Sequence, residues 1–184
     1  AAEVAIAAGC HGITVHPRPD ERHIRRADVL ALAAWLPVEL NIEGYPGDDW
    51  LRLVERVRPA QATLVPDPPE VLTSNAGWRF GEVDRVWLVG IVARLRAAGI
   101  RVSLFVDPAP REVEGVFFID AAPTEIYTEA YARAFATKKR DAVFARYRAA
   151  AERAAALGLG VNAGHDLDLD NLPFLAQNLP GLAE

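Results

Sequence analysis

The chain has 184 residues, 51% hydrophobic and 24% charged, enough for one domain with a sizeable core. A net charge of −5 excludes a non-specific nucleic-acid partner. The single cysteine, Cys10, excludes an internal disulfide framework and fits a reducing compartment; no apolar run approaches the ~18 residues of a membrane span, and no signal peptide is visible.

Helical and strand patterns then alternate along the chain. Residues 1–8 open in mid-helix without an N-cap, and Gly9 closes them as a C′ residue, with Cys10 beside it reading as packing. Residues 12–16 read as a strand. Pro17 and Pro19 stop it and stiffen a turn that carries Arg18, Arg22 and His23. Residues 27–36 place Val29, Leu30, Leu32, Ala33 and Leu36 at helical spacing, ended by Pro37. A strand over 38–42 ends at Glu43-Gly44. Asp48 or Asp49 is expected to cap a helix with Trp50, Leu51, Val54 and Val57 on one face, ended by Pro59. Residues 62–65 are the next strand, stopped by Pro66. A loop of about fifteen residues follows, to Gly81, where connections in compact α/β domains usually take ~2–6, and this length marks it for function.

The helix predicted over 82–98 shows Val83, Val86, Trp87 and Ile91, and Gly99 closes it. Residues 101–106 are a strand ending at Asp107-Pro108. Residues 111–122 are ambiguous, because Val116-Phe-Phe-Ile119 has strand propensity where the alternation demands a helix. A strand at 124–128 follows, then an Ala-rich helix over 140–157 with Phe144, Tyr147 and Ala151 inward, ended by Gly158. Residues 160–164 are the last strand, followed by His165 and a short helix over about 169–178.

Strict alternation of six strands with roughly seven helical pieces means a parallel sheet covered by helices. No G-x-G-x-x-G turn marks a Rossmann sheet, and polar residues at nearly every strand's C-terminal end favour the (β/α)8 TIM barrel. The expectation is a single TIM-barrel domain over 1–184, incomplete at both ends and lacking the first and last strands, which are neighbours at barrel closure.

In that topology the C-terminal strand ends converge, bringing together His16, Arg18, Glu43, the Thr73-Ser74 loop, Asp107, Thr128, Glu129, His165 and Asp166. Glu43 follows an apolar strand, where burying a carboxylate without a task is costly. Small residues around His165 let a ligand approach the backbone. His16 reads equally as a strand-end hydrogen-bonding group. Asp107 reads as a cap of the next helix, and Arg22 and Lys138-Lys139-Arg140 as solvated charge. Trp35, Trp50 and Trp87 read as packing; Trp78, in the long loop, is the exception that can serve as a stacking platform. A divalent metal held by histidines and a glutamate is the rival, but no H-E-x-x-H or Cys–His spacing supports it and Arg18 disfavours a cation.

Six motifs, in order and at matching spacing over nearly the whole chain, resemble the pyridoxine 5′-phosphate synthase family. They are Gly-Ile-Thr-Val-His-x-Arg-x-Asp-x-Arg-His-Ile at 12–24, Asn41-Ile-Glu43, residues 62–66, Leu72-Thr-Ser74 with Gly77-Trp78, residues 102–107, and Val161-Asn-Ala-Gly-His165. The resemblance implies a (β/α)8 barrel that condenses 1-deoxy-D-xylulose 5-phosphate with 3-amino-2-oxopropyl phosphate to pyridoxine 5′-phosphate, phosphate and water. No metal or organic cofactor is implied. It implies His16 and Glu43 as proton acceptors, His165 as proton donor, and Arg18, His23, Thr73 and Asp166 as substrate ligands. It also implies a cytoplasmic homo-oligomer, an octamer in the family.

Some members carry glycine where Asp166 stands, and Tyr127 and Glu129 replace residues that are often His and Gly; these two read as tolerated changes at the rim of the pocket. The family has a strand before the position of Ala1 and another beyond that of Glu184, which bring further substrate ligands. The 184-residue polypeptide made alone is therefore expected to be inactive or poorly folded.

Overall fold

The computed structural model describes residues 1–67 and 76–182; Thr73 and most of the loop expected between Pro66 and Gly81 lie outside the described residues. Six strands, β1 (Gly12–Val15), β2 (Glu39–Gly44), β3 (Gln61–Leu64), β4 (Arg101–Val106), β5 (Thr124–Tyr127) and β6 (Val161–Gly164), pair in chain order, all parallel. A doubly wound sheet reverses its strand order at a switch point; unbroken sequential order is that of a barrel wall. Leu182 makes an isolated parallel bridge to Val161 on the outer edge of β6.

The described helices are α1 (Ala2–Ala7), α2 (Arg26–Trp35), α3 (Asp48–Val57), α4 (Arg85–Ala97), α5 (Pro110–Phe118), α6 (Glu129–Ala134), α7 (Arg140–Ala156) and α8 (Leu172–Asn178). None is long and apolar enough to cross a membrane. The ambiguous segment after β4 is helical: Pro110 opens α5, and Val113 and Val116 are buried. The α6 turn, between β5 and α7, was not expected.

Two caps differ from expectation. Gly47 is the N-cap of α3, and Asp48 and Asp49 stand in its first turn, where they complement the helix dipole without capping. Asp84 caps α4, its Oδ1 accepting from the amides of Val86 (3.0 Å) and Trp87 (3.1 Å), so this helix starts three residues later than predicted. Its buried face is Leu88, Ile91, Val92 and Leu95, while Val86 is 84% exposed. Apolar residues surround this helix, so periodicity alone does not fix its phase.

The two faces of the sheet differ sharply. Strand alternation turns Ile42, Leu64, Val102 and Leu104 outward, where they pack with Val29, Val54, Leu88, Leu95 and Val116. Ile126 and Val161 pack likewise with Tyr131, Phe144, Tyr147, Ala151 and Leu175 of the last three helices. The inner face is mainly polar, with Thr14 opposite Asn41, Glu43 opposite Thr63, Thr63 opposite Ser103, and Glu125 opposite Asn162, and it carries one small apolar cluster, Val65, Phe105 and Tyr127. Thr63 Oγ1 donates to Asn41 Oδ1 (3.1 Å), and Asn41 Nδ2 donates to Thr14 Oγ1 (3.3 Å). Near the N-terminal strand ends Arg101 Nε donates to Gln61 Oε1 (2.8 Å), and its guanidinium pairs with Glu39.

Candidate active site

Two strand ends build one half of the site. Immediately after β1, His16 places Nδ1 3.5 Å from Glu43 Oε2, with the two side chains only 15% and 20% exposed. Glu43 lies near the end of β2, and its backbone is fixed from α3, because Trp50 Nε1 donates to the Glu43 carbonyl at 2.9 Å. Gly44 allows this approach: a Cβ there would fall 2.1 Å from Trp50 Nε1.

The turn after His16 carries two guanidiniums, Arg18 and Arg22, and two carboxylates, Asp20 and Glu21. Arg18 is buried, with Asp67 Oδ2 3.9 Å from its Nη2. Burial, and then the neighbouring Arg22, lower its pKa, while Asp67 and Glu43 oppose them. His23 meets His16 edge to face, ring centroids 6.1 Å apart. Desolvation first, then the charge of Arg18 and His16, hold the pKa of His23 below its ordinary value.

The other half follows β6. His165 (φ +93°) and Asp166 (φ +58°) both adopt left-handed backbone, which costs an L-residue about 1–2 kcal/mol each. Neighbouring side chains hold them there. The Thr128 hydroxyl contacts the carbonyls of Gly164 (2.6 Å) and His165, and Asn171 Nδ2 donates to the Asp166 carbonyl (3.1 Å). The His165 ring packs edge to face on Tyr127, centroids 5.0 Å apart, and its Nδ1 lies 2.9 Å from Asp166 Oδ2.

A cavity of about 360 Å³ opens at the C-terminal ends of the strands, lined by Glu43, Phe105, Glu125, Asn162 and His165 among others. His16 and Arg18 line a neighbouring cavity of about 600 Å³ with Tyr45, Trp50 and Asp67. Glu43 and His165 therefore face a common space, and His16 joins them through its contact with Glu43. Asp166 lies outside that lining, and Thr73 lies outside the described residues.

Several polar side chains have different partners from those expected. Asp107 does not cap α5, whose N-cap is Ala109; it accepts from the Gly77 amide (2.9 Å) and Arg79 Nε (3.3 Å), holding the chain where it returns from the long loop. Trp78 is buried and its Nε1 donates to the Leu64 carbonyl (2.9 Å), so it packs and offers no stacking platform. Trp35, expected as packing, is 47% exposed. Arg22 pairs with Asp20, and Arg140 lies over the Phe174 ring, 4.6 Å from its centroid.

Sequence reasoning passed over Glu125 and Asn162. Glu125 is 7% exposed on the cavity wall, and a carboxylate within the strand Thr124-Glu-Ile-Tyr127 is the same signal that marked Glu43. Tyr127 is not a rim residue: it is buried, and its hydroxyl donates to Glu129 Oε2 at 2.7 Å. Burial and that carboxylate raise the phenol's pKa. Among the described residues no three His, Cys, Asp or Glu side chains are grouped as a metal ion requires.

The fold has counterparts among solved structures. An HpcH/HpaI aldolase from Desulfitobacterium hafniense superposes with a TM-score of 0.61 at 9% identity, over 98% of this chain and 78% of that one. Phosphoribosyl anthranilate isomerase from Thermus thermophilus gives 0.58 at 20% identity, over 96% and 78%. At such identities these likenesses establish the fold, a (β/α)8 barrel of which β1 to β6 are six strands. Sequence relatives are much nearer. Pyridoxine 5′-phosphate synthase of Cytophaga hutchinsonii is 49% identical over 176 residues, covering 96% of this chain and 73% of the relative. That of Agrobacterium fabrum is 48% identical over 190 residues, covering 99% and 75%. The model of the family described as pyridoxal phosphate biosynthesis protein PdxJ matches residues 1–184, and the chain belongs to that family.

Proposed function

We propose that this chain is a pyridoxine 5′-phosphate synthase. It condenses 1-deoxy-D-xylulose 5-phosphate with 3-amino-2-oxopropyl phosphate to pyridoxine 5′-phosphate, inorganic phosphate and water, with no metal or organic cofactor. The observation that carries this reading is the position of Glu43, 3.5 Å from His16 and facing one cavity with His165. Joining an amine to a ketone, expelling water and phosphate, and aromatising the ring are successive proton transfers, which want neighbouring groups able to accept and donate in turn.

In this reading His16 and Glu43 accept protons and His165 donates one. Glu125 adds a second carboxylate on the same wall, suited to a cationic imine nitrogen. Arg18 and His23, with Thr73, hold the phosphate of the deoxyxylulose substrate, for which a guanidinium fork is the natural partner. The reading includes a cytoplasmic homo-oligomer, an octamer as the family resemblance implies, and the exposed Val86 and Val89 of α4 supply apolar surface for such an assembly to cover.

Glu43→Gln keeps the shape of the side chain and removes its basicity. With product formation followed from the two substrates in the full-length chain, turnover should fall by about 10²–10⁴, the worth of a positioned acid–base group. A variant as active as the parent, or a parent that forms no product, ends the reading.

A further inference from the structure

The loop after β6 contains a contact that the proposed reaction does not call for. His165 lines the cavity, but Asp166, the next residue, does not. Its carboxylate turns back, with Oδ2 2.9 Å from His165 Nδ1. An ionised carboxylate only accepts, so the proton in this bond belongs to Nδ1, and Nε2 is left to exchange a proton with a substrate. Tyr127 at 5.0 Å and Phe105 at 6.4 Å bound the ring on other sides.

The supporting backbone is held closely. Asp168 Oδ1 accepts from the amides of Asp170 and Asn171 (both 2.9 Å). Asn171 Oδ1 accepts from the Asp168 amide (3.0 Å), and its Nδ2 donates to the Asp166 carbonyl (3.1 Å). The Asp166 side chain therefore starts from a fixed point, and its reach is toward the imidazole.

We propose that the Asp166 carboxylate is a positioning group that selects the Nδ1–H tautomer of His165 and aims Nε2 into the cavity, leaving any contact of this residue with substrate to its backbone. The kinetic consequence rests on the ring-closing reading; the tautomer does not. Glycine and asparagine both suit the φ of +58° at this position, so Asp166→Gly and Asp166→Asn preserve the loop. The experiment measures the imidazole nitrogen shifts of His165 by NMR in the ¹⁵N-histidine-labelled full-length chain, assigned by their loss in His165→Gln, together with steady-state kinetics on both substrates.

With its imidazole neutral, the parent should carry the proton on Nδ1 and leave Nε2 bare, ready to take up the proton that it later donates, and Asp166→Gly should lose that preference. Its kcat should fall about 10-fold, a fraction of the ~10²–10⁴ that a positioned acid supplies, with both KM values unchanged. Asp166→Asn, whose amide oxygen still accepts from Nδ1–H, should keep the tautomer and lose less. Unchanged His165 shifts in Asp166→Gly overturn the proposal, as does a raised KM at constant kcat, which makes Asp166 a substrate ligand. A parent that forms no product removes the ring-closing reading alone, and the nitrogen shifts still decide the role of Asp166.

Discussion

His23 is held in a state prepared for an anion. Desolvation and the positive charge of Arg18 and His16 depress its pKa, so the free protein keeps it neutral at a pH where an ordinary histidine is partly charged. A phosphate dianion bound beside Arg18 reverses the sign of the local field and favours the imidazolium. The pKa therefore rises on binding, and between the lowered free value and the raised bound value the protein takes up a proton. Calorimetry of inorganic phosphate binding near pH ~6, in buffers of different ionisation enthalpy, should report a net proton balance shifted toward uptake in the parent relative to His23→Gln, the phosphate's own titration being common to both. The same buffer dependence in parent and variant would mean that His23 does not face the phosphate. Arg18 cannot account for the uptake, because a guanidinium already holds its proton throughout this range even with its pKa lowered.

Between residue and fold, α3 sets the position of Glu43. Its Trp50 indole lies over Gly44 and donates to the Glu43 carbonyl, so the end of β2 is fixed from the helix side as well as by its neighbours in the sheet. Trp50→Phe retains most of the packing and loses the donor; we expect about 0.5–1.5 kcal/mol less stability in urea and a drop in turnover, because the carboxylate loses part of its support. Gly44→Ala should cost more on both counts, since the new Cβ collides with the indole ring. A Trp50→Phe variant with normal turnover would make the contact purely structural.

Elements of this kind were unevenly legible in the sequence. Strand β4 was read at its observed limits, because an apolar run bounded by Gly99 and Pro108 leaves little choice. Of the residues that mark α4 as helical, Val86 and Trp87 are exposed and Ile91 is buried, because the helix's apolar residues do not fall on one side; the six residues of α6 show no helical period to read. Asp107 was mistaken for a cap because its partners Gly77 and Arg79 lie far upstream in sequence. That His16, Glu43 and His165 stand at the C-terminal ends of their strands followed from parallel topology alone. The division of that region into two cavities did not, because it depends on the direction of side chains that only packing determines.

The molecule as a whole is built in two shells with opposite character. Outside the sheet, apolar side chains from strands and helices form two packed clusters; inside it, Thr14, Asn41, Thr63, Ser103, Glu125 and Asn162 make a polar lining, beside a small apolar cluster of Val65, Phe105 and Tyr127. Burying polar groups gives little net stability, so the outer shell should hold the fold together while the inner shell aligns the site. One substitution in each shell separates these roles. Leu104, fully buried and outward-facing, should lose about 2–5 kcal/mol as Leu104→Ala by transfer and cavity terms, with turnover per folded molecule unchanged. Thr63→Val is nearly isosteric, but it removes the donor to Asn41 Oδ1 and lies opposite Glu43 in the register; it should cost only about 1–3 kcal/mol and lower turnover. Urea unfolding paired with kinetics at temperatures where both variants are folded makes the comparison. If turnover follows stability in the same proportion for both, the shells are not functionally distinct, and the polar interior contributes to the fold in the same way as the apolar layer around it.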